Sequence, residues 1–174
     1  MRWGRKGRRE SLSEQPPWWK RQYIEPYHLS DAEAWKLIES PPFYCVFAWV
    51  TREPAPVACA MAYVVLDGCV MLTSTANRDK VKAILRNPAV CLCFHRGLRQ
   101  VTLRGRAELS SDPQLVARWV SAHLDTWDRP LTPEQRAAET QRFLSPDRVI
   151  LVVRAEKLRS FDGAEMFRAE TRKE

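Results

Sequence analysis

A chain of 174 residues with 45% apolar content has room for one domain with an ordinary core. No stretch of about 18 uninterrupted apolar residues occurs, which excludes a transmembrane helix, and the charged N-terminus lacks the apolar core of a signal peptide, so a cytoplasmic protein with no membrane partner is expected. Of the net charge of +7, residues 1–10 carry +4, through Arg2, Arg5, Lys6, Arg8 and Arg9 against Glu10; the rest is too nearly neutral for a nucleic-acid-binding protein.

Residues 1–15 read as a disordered basic tail, because such a composition cannot bury enough surface to order itself. Residues 16–29, P-P-W-W-K-R-Q-Y-I-E-P-Y-H-L, form a proline- and aromatic-rich arm expected to lie on the domain or on a partner subunit. The domain proper is expected over 30–163. It opens with a capping box, Ser30-Asp31-Ala32-Glu33, and a short helix to about Glu39 that Pro41-Pro42 stop.

Strands follow. Phe43–Thr51 is β-rich, and Val57–Leu66 is a second strand after a proline-containing turn. Asp67-Gly68 signals a hairpin, with Cys69–Ser74 as the return strand. The spacing predicts a helix over 77–86 with Val81, Ile84 and Leu85 on one face, ended by Asn87-Pro88. Ala89–His95 is apolar on both faces and is expected to be covered on both sides. Val101–Leu109 alternates strictly, as a half-exposed antiparallel strand does. Two helices come next, one from Asp112-Pro113 and one from a second capping box, Thr132-Pro133-Glu134-Gln135. Asp147–Val153 is the last expected strand, and residues 164–174 read as a charged tail that frays after Gly163. Short hairpin-linked strands with few helices argue for a mainly β (α+β) fold, a small antiparallel barrel with peripheral helices.

The five cysteines, Cys45, Cys59, Cys69, Cys91 and Cys93, contain no C-x-x-C pair. They read as reduced, buried small side chains, with neither a disulfide framework nor a metal site expected. Chemistry is expected instead between Asp67 and Gly105. Thr73, Ser74 and Thr75 offer hydroxyls, and Arg78 and Lys80 stand where a helix begins. Hydroxyls, cations and unpaired helix amides together suit a phosphate. The same residues would equally suit a capped surface helix whose cations are merely solvated.

The pattern L-T-S-T-A-N-R-D-K-V-K-A-I-L-R-N-P-A-V-C-L-C-F, followed by R-Q-V-T-L-R-G, resembles the pyridoxamine 5'-phosphate oxidase-like flavoprotein superfamily. The likeness covers roughly residues 30–110, with an echo at 147–163. It implies a split β-barrel that forms a homodimer around FMN. Thr75, Arg78 and Lys80 would hold the flavin phosphate beside Thr73 and Ser74. Gln100 would hydrogen-bond the polar edge of the ring. The strand Val57–Ala62, with Ala58, Cys59 and Ala60, would line the ring through its backbone, although small residues there also suit tight barrel packing. The vitamin B6 oxidases carry Arg and Lys on that strand, and this chain has neither. The resemblance therefore implies a flavin-dependent oxidoreductase acting on another small molecule. Alternatives on the same scaffold are a reductase using the deazaflavin coenzyme F-420 and a non-catalytic cofactor or haem binder. No acid/base pair is evident among His28, His95 and His123, and His123, on an apolar helix face, reads as a core residue.

Overall fold

Alternation along short apolar segments yields six antiparallel strands that close on themselves: β1 (Tyr44–Val50), β2 (Pro56–Leu66), β3 (Cys69–Thr75), β4 (Ala89–Arg96), β5 (Arg99–Ser110) and β6 (Arg148–Asp162). Around the barrel the order is β1-β2-β3-β6-β5-β4. The structure, a computed structural model, describes residues 20–53 and 55–172. The basic tail at 1–15, the tryptophan pair of the arm and the last two residues lie outside that range.

Inward-facing residues of every strand fill the barrel: Phe47, Tyr63, Leu72, Leu92, Phe94, Val101, Leu103, Leu151 and Val153 are all at 0% exposure. After the short α1 (Arg21–Ile24), helix α2 (Asp31–Ile38) buries Ala34, Leu37 and Ile38 into this core at one end. Its capping box forms as expected, with Ser30 accepting from the Glu33 amide and Glu33 from the Ser30 amide. The Tyr63 hydroxyl donates to the Ile38 carbonyl at 2.6 Å, and Arg96 ties the same end to the Ser40 carbonyl at 3.2 Å. Helix α3 (Asp79–Arg86) closes the opposite end, next to the start of β4, with Val81, Ala83 and Ile84. The β2–β3 hairpin turns on Asp67 and Gly68, both at positive φ, as the Asp-Gly signal requires.

A second core lies outside the barrel. Helix α4 (Pro113–Asp125) lays Val116, Trp119, Val120 and Leu124 over Val64, Cys69, Met71, Ile150 and Val152. The Trp119 indole donates to the Met71 carbonyl at 3.0 Å. Helix α5 (Pro133–Phe143) starts at the second capping box and is joined to α4 by an Arg136–Asp125 pair at 2.9 Å. No helix of the described residues is long and apolar enough to cross a membrane.

Four expectations need correction. The strand covered on both sides is β3, whose Val70 and Leu72 face the barrel while Cys69 and Met71 face α4. β4 is covered on one side only: Val90, Leu92 and Phe94 are buried, but Ala89 and His95 are exposed and Cys91 and Cys93 half-exposed. Helix α3 begins at Asp79 rather than residue 77, and Leu85 is 73% exposed. Its buried stripe centres on Lys80 and Ile84, so Leu85, a further 100° around the helix, falls outside it. Finally, β6 does not stop at Val153. It runs along β5 to Asp162, and residues 163–171 form helix α6 (Gly163–Thr171) where fraying was expected. Pairing with β5 supplies what apolar alternation does not, and Asp162 caps α6 by accepting from the Glu165 amide at 2.9 Å. The described part of the N-terminal arm sits against this region, through Leu29 and Ser160 at 2.9 Å and a Tyr23–Glu170 hydrogen bond.

β5 and β6 stay paired over this length by slipping register between Arg104 and Gly105. A Cβ at Gly105 would sit 2.0 Å from the Arg154 carbonyl oxygen. Gly105→Ala therefore forces the two strands apart and is expected to destabilise the fold by about 3 kcal/mol or more in urea unfolding; a loss under about 1 kcal/mol would show that the bulge yields easily.

His123 is 7% exposed, stacked on Trp119 at 4.7 Å between ring centroids, and its Nε2 accepts from the Trp127 indole at 3.4 Å. It is the core histidine that its helix face suggested. Burial lowers its pKa from the ordinary 6.5. The unfolded chain therefore takes up a proton that the folded chain refuses. The stabilisation is complete above pH 6.5 and is lost as pH falls through the folded value. His123→Phe is expected to flatten this acid limb of the unfolding free energy, measured in urea across pH 7.5 to about 5; an unchanged slope would assign the acid sensitivity to other groups.

Candidate functional site

β2 and β3 pair only between Tyr63–Leu66 and Cys69–Leu72. Before Tyr63, β2 continues against β1 alone; after Leu72, β3 continues against β6 alone, with Thr73, Ser74 and Thr75 opposite Ile150, Val149 and Arg148. The barrel wall opens between these two diverging stretches. A cleft of about 450 Å³ lies beside this opening at the end of β3, lined by Trp49, Thr73, Ser74, Thr75, Arg78, Asp79, Lys80 and Arg148.

Local sequence builds each wall. Strand alternation turns Ser74 to one face, where it is buried, and Thr73 and Thr75 to the other, so the three hydroxyls cannot all face one ligand atom. Thr73 Oγ1 donates to the Val149 carbonyl at 3.3 Å, and Thr75 Oγ1 to Asn77 Oδ1 at 2.7 Å. The chain then turns: the Ala76 amide donates to the Asp147 carbonyl at 2.8 Å and the Arg78 amide to the Thr75 carbonyl at 3.1 Å. Arg78 occupies the N-cap of α3 in extended conformation, and no side chain caps the helix. The Val81 amide donates to the Arg78 carbonyl at 3.0 Å, so among the described residues the amides of Asp79 and Lys80 are the first-turn donors left without a protein acceptor at the positive end of the helix dipole.

The rotation of α3 that exposes Leu85 carries Lys80 inward. Its Nζ lies 3.6 Å from Met61 Sδ, across the split, and 5.8 Å from the centre of the Trp49 ring. Asp79, at the rim of the cleft, keeps its carboxylate in solvent, 99% exposed and 4.0 Å from Lys82. Arg148 completes the wall. Nothing in the sequence marks it, because an arginine at the start of an apolar strand looks like an ordinary boundary residue; the strand register that sets it opposite Thr75 is a tertiary fact. Among the described residues, Arg78, Lys80 and Arg148 make no ion pair.

The other candidate residues lie elsewhere in the single chain. Gln100 is exposed at the start of β5, opposite His95 and Phe161. Ala58 and Ala60 are exposed on the outer face of β2, opposite Ala48 and Val46, while Cys59 faces inward, half-buried against the barrel core. This outer face continues across β1 and β4 and is apolar: Tyr44, Val46 and Val50 are 62%, 41% and 37% exposed. Among the described residues, no three His, Cys, Asp or Glu side chains gather as a metal site would need.

The fold is shared with known structures. A conserved hypothetical protein, Rv2991 of Mycobacterium tuberculosis, superposes with a TM-score of 0.70 at 24% identity over 86% of this chain and 90% of that one. An F420 reductase matches at 0.54 and 29% identity, over 71% of this chain and 93% of that one. A heme binding protein from Mycobacterium smegmatis matches at 0.59 and 24% identity, over 76% of this chain and 54% of that one. No curated protein matches by sequence. The profile of the pyridoxamine 5'-phosphate oxidase family matches residues 31–162, the whole span from α2 to the end of β6, and the chain belongs to that family.

Proposed function

We propose that the chain is an oxidoreductase that anchors the phosphate of a flavin in the cleft at the barrel split, with FMN as the cofactor. One observation carries this reading: Arg78 and Lys80, without an ion pair among the described residues, line one cleft with an uncapped helix start beside the opening of the barrel wall. The donor set fits the group. Arg78 can fork onto two phosphate oxygens, Lys80 adds a point charge, and the first amides of α3 add donors along the dipole. A phosphate monoester carries about −1.5 to −2 charge near neutrality, matched to such a cluster.

When bound, a flavin supplies hydride transfer at its N5. The protein's part is to hold and shield it. Trp49 and Met61 form an apolar wall beside Lys80, which lowers the local dielectric and strengthens the ionic contact. The outer face of β1, β2 and β4 supports a homodimer, because exposed valines and Tyr44 surround small Ala48, Ala58 and Ala60 over which a second copy can close. Gln100 and His95 stand at the margin of that face, so Gln100 would serve the ring of a cofactor shared between subunits. The substrate is a small molecule other than pyridoxamine phosphate, since Val57–Ala62 offers no cation to a substrate phosphate. A deazaflavin is the second reading, favoured by the 29% identity to an F420 reductase.

Lys80→Ala is expected to weaken FMN binding about 10- to 100-fold in a fluorescence titration, the scale of one charged hydrogen bond; unchanged affinity would place the phosphate elsewhere. Val46→Asp buries a charge if a second copy covers the outer face, so sedimentation should show monomers with weakened cofactor binding. A variant that sediments like the parent protein would exclude this face as the interface.

A further inference from the structure

Arg78 and Lys80 are two cations of the cleft, and Arg148 is a third. Arg148 is fixed by groups that have nothing to do with the cleft. Its backbone amide donates to the Ser145 carbonyl at 3.0 Å and its Nε to the Phe143 carbonyl at 2.9 Å. Its guanidinium lies 5.7 Å from the Phe143 ring centre. The strand register sets it directly opposite Thr75. With Nε occupied, the two terminal nitrogens remain, and among the described residues they have no carboxylate within ion-pair distance. The side chain is half-buried, and desolvation lowers its pKa from the usual arginine value. A partly desolvated cation without a counter-charge gains from an arriving anion more than a solvated one does.

We propose that Arg148 is a preset third anchor for the cofactor's phosphate ester, held in position by the C-terminal end of α5. This rests on the cleft being a phosphate site. Arg78 is exposed and loses side-chain freedom when it binds an anion, and Lys80 is held only by a thioether contact to Met61 and the Trp49 ring. Arg148 has already lost that freedom on folding. It therefore contributes through its fixed geometry as well as its charge, and lysine, which lacks both the Nε donor and the planar fork, does not replace it.

The test compares FMN with riboflavin, which has the ring but no phosphate, on the full chain carrying Arg148→Met, Arg148→Lys or Lys80→Ala, each shown to be folded by circular dichroism. Arg148→Met is expected to weaken FMN about 10- to 100-fold and leave riboflavin unchanged, with Arg148→Lys recovering little of the loss. If the parent protein prefers a deazaflavin, the same comparison is made between coenzyme F-420 and its phosphate-free chromophore. Equal losses for the phosphorylated and phosphate-free ligands, or full recovery by lysine, would overturn the preset-anchor role. A phosphate-specific loss in Lys80→Ala but not in Arg148→Met would overturn this inference alone. Loss of phosphate dependence in the parent protein would overturn the reading of the cleft. Inorganic phosphate provides a cofactor-free arm: it should raise the melting temperature of the parent protein and do so less for Arg148→Met, and an equal rise in both would again exclude Arg148.

Discussion

The pairing between β2 and β3 ends at Tyr63 and Leu72, and the rest of the site follows from that interruption. A fully paired barrel wall has no backbone to spare and no opening between adjacent strands. Here β2 keeps company with β1, and β3 with β6, so the wall gapes over the last residues of β3. The chain leaving β3 must turn there to start α3, and the turn delivers an uncapped helix start to the gap. α3 then has to close the barrel end with Val81, Ala83 and Ile84. That packing fixes its rotation and leaves Lys80 in the opening beside Trp49 and Met61. Core burial and the placement of a cation in the cleft are thus consequences of the same helix rotation.

Much of this was legible in the sequence. Apolar alternation, the Asp-Gly turn, two capping boxes and Asp112-Pro113 located the strands, the hairpin and three helix starts. The cluster Thr73, Ser74, Thr75, Arg78 and Lys80 could be grouped because its members are neighbours along the chain. What could not be read depended on tertiary pairing. The second half of β6 is strand because β5 holds it, not because its charged sequence alternates clearly. Leu85 is exposed because the end of a barrel, not an ideal amphipathic stripe, decides which side of α3 is buried. Arg148 reaches the cleft through a register that joins positions far apart in sequence. The start of α6 is a different case: Asp162 three residues before Glu165 is a visible capping signal, masked by the charged composition around it.

Membership of the pyridoxamine 5'-phosphate oxidase family sets the scaffold, and the particular residues narrow its use. The strand Val57–Ala62 presents small and apolar side chains, so the scaffold's name does not carry its substrate with it. The cation-lined cleft and the apolar outer face lie on different surfaces of one chain. A cofactor anchored in the first and a second copy closing over the second would bring them together, and the proposed dimer gives a physical reason why Gln100 and the cleft are separated in the single chain.

The central claim is that a phosphate sits at the barrel split. A crystal structure of the protein soaked with FMN tests it most directly. Phosphate oxygens are expected within hydrogen-bonding distance of Lys80 Nζ and the Arg78 guanidinium. A flavin bound with its phosphate on another surface, and neither cation in contact with it, would contradict the account.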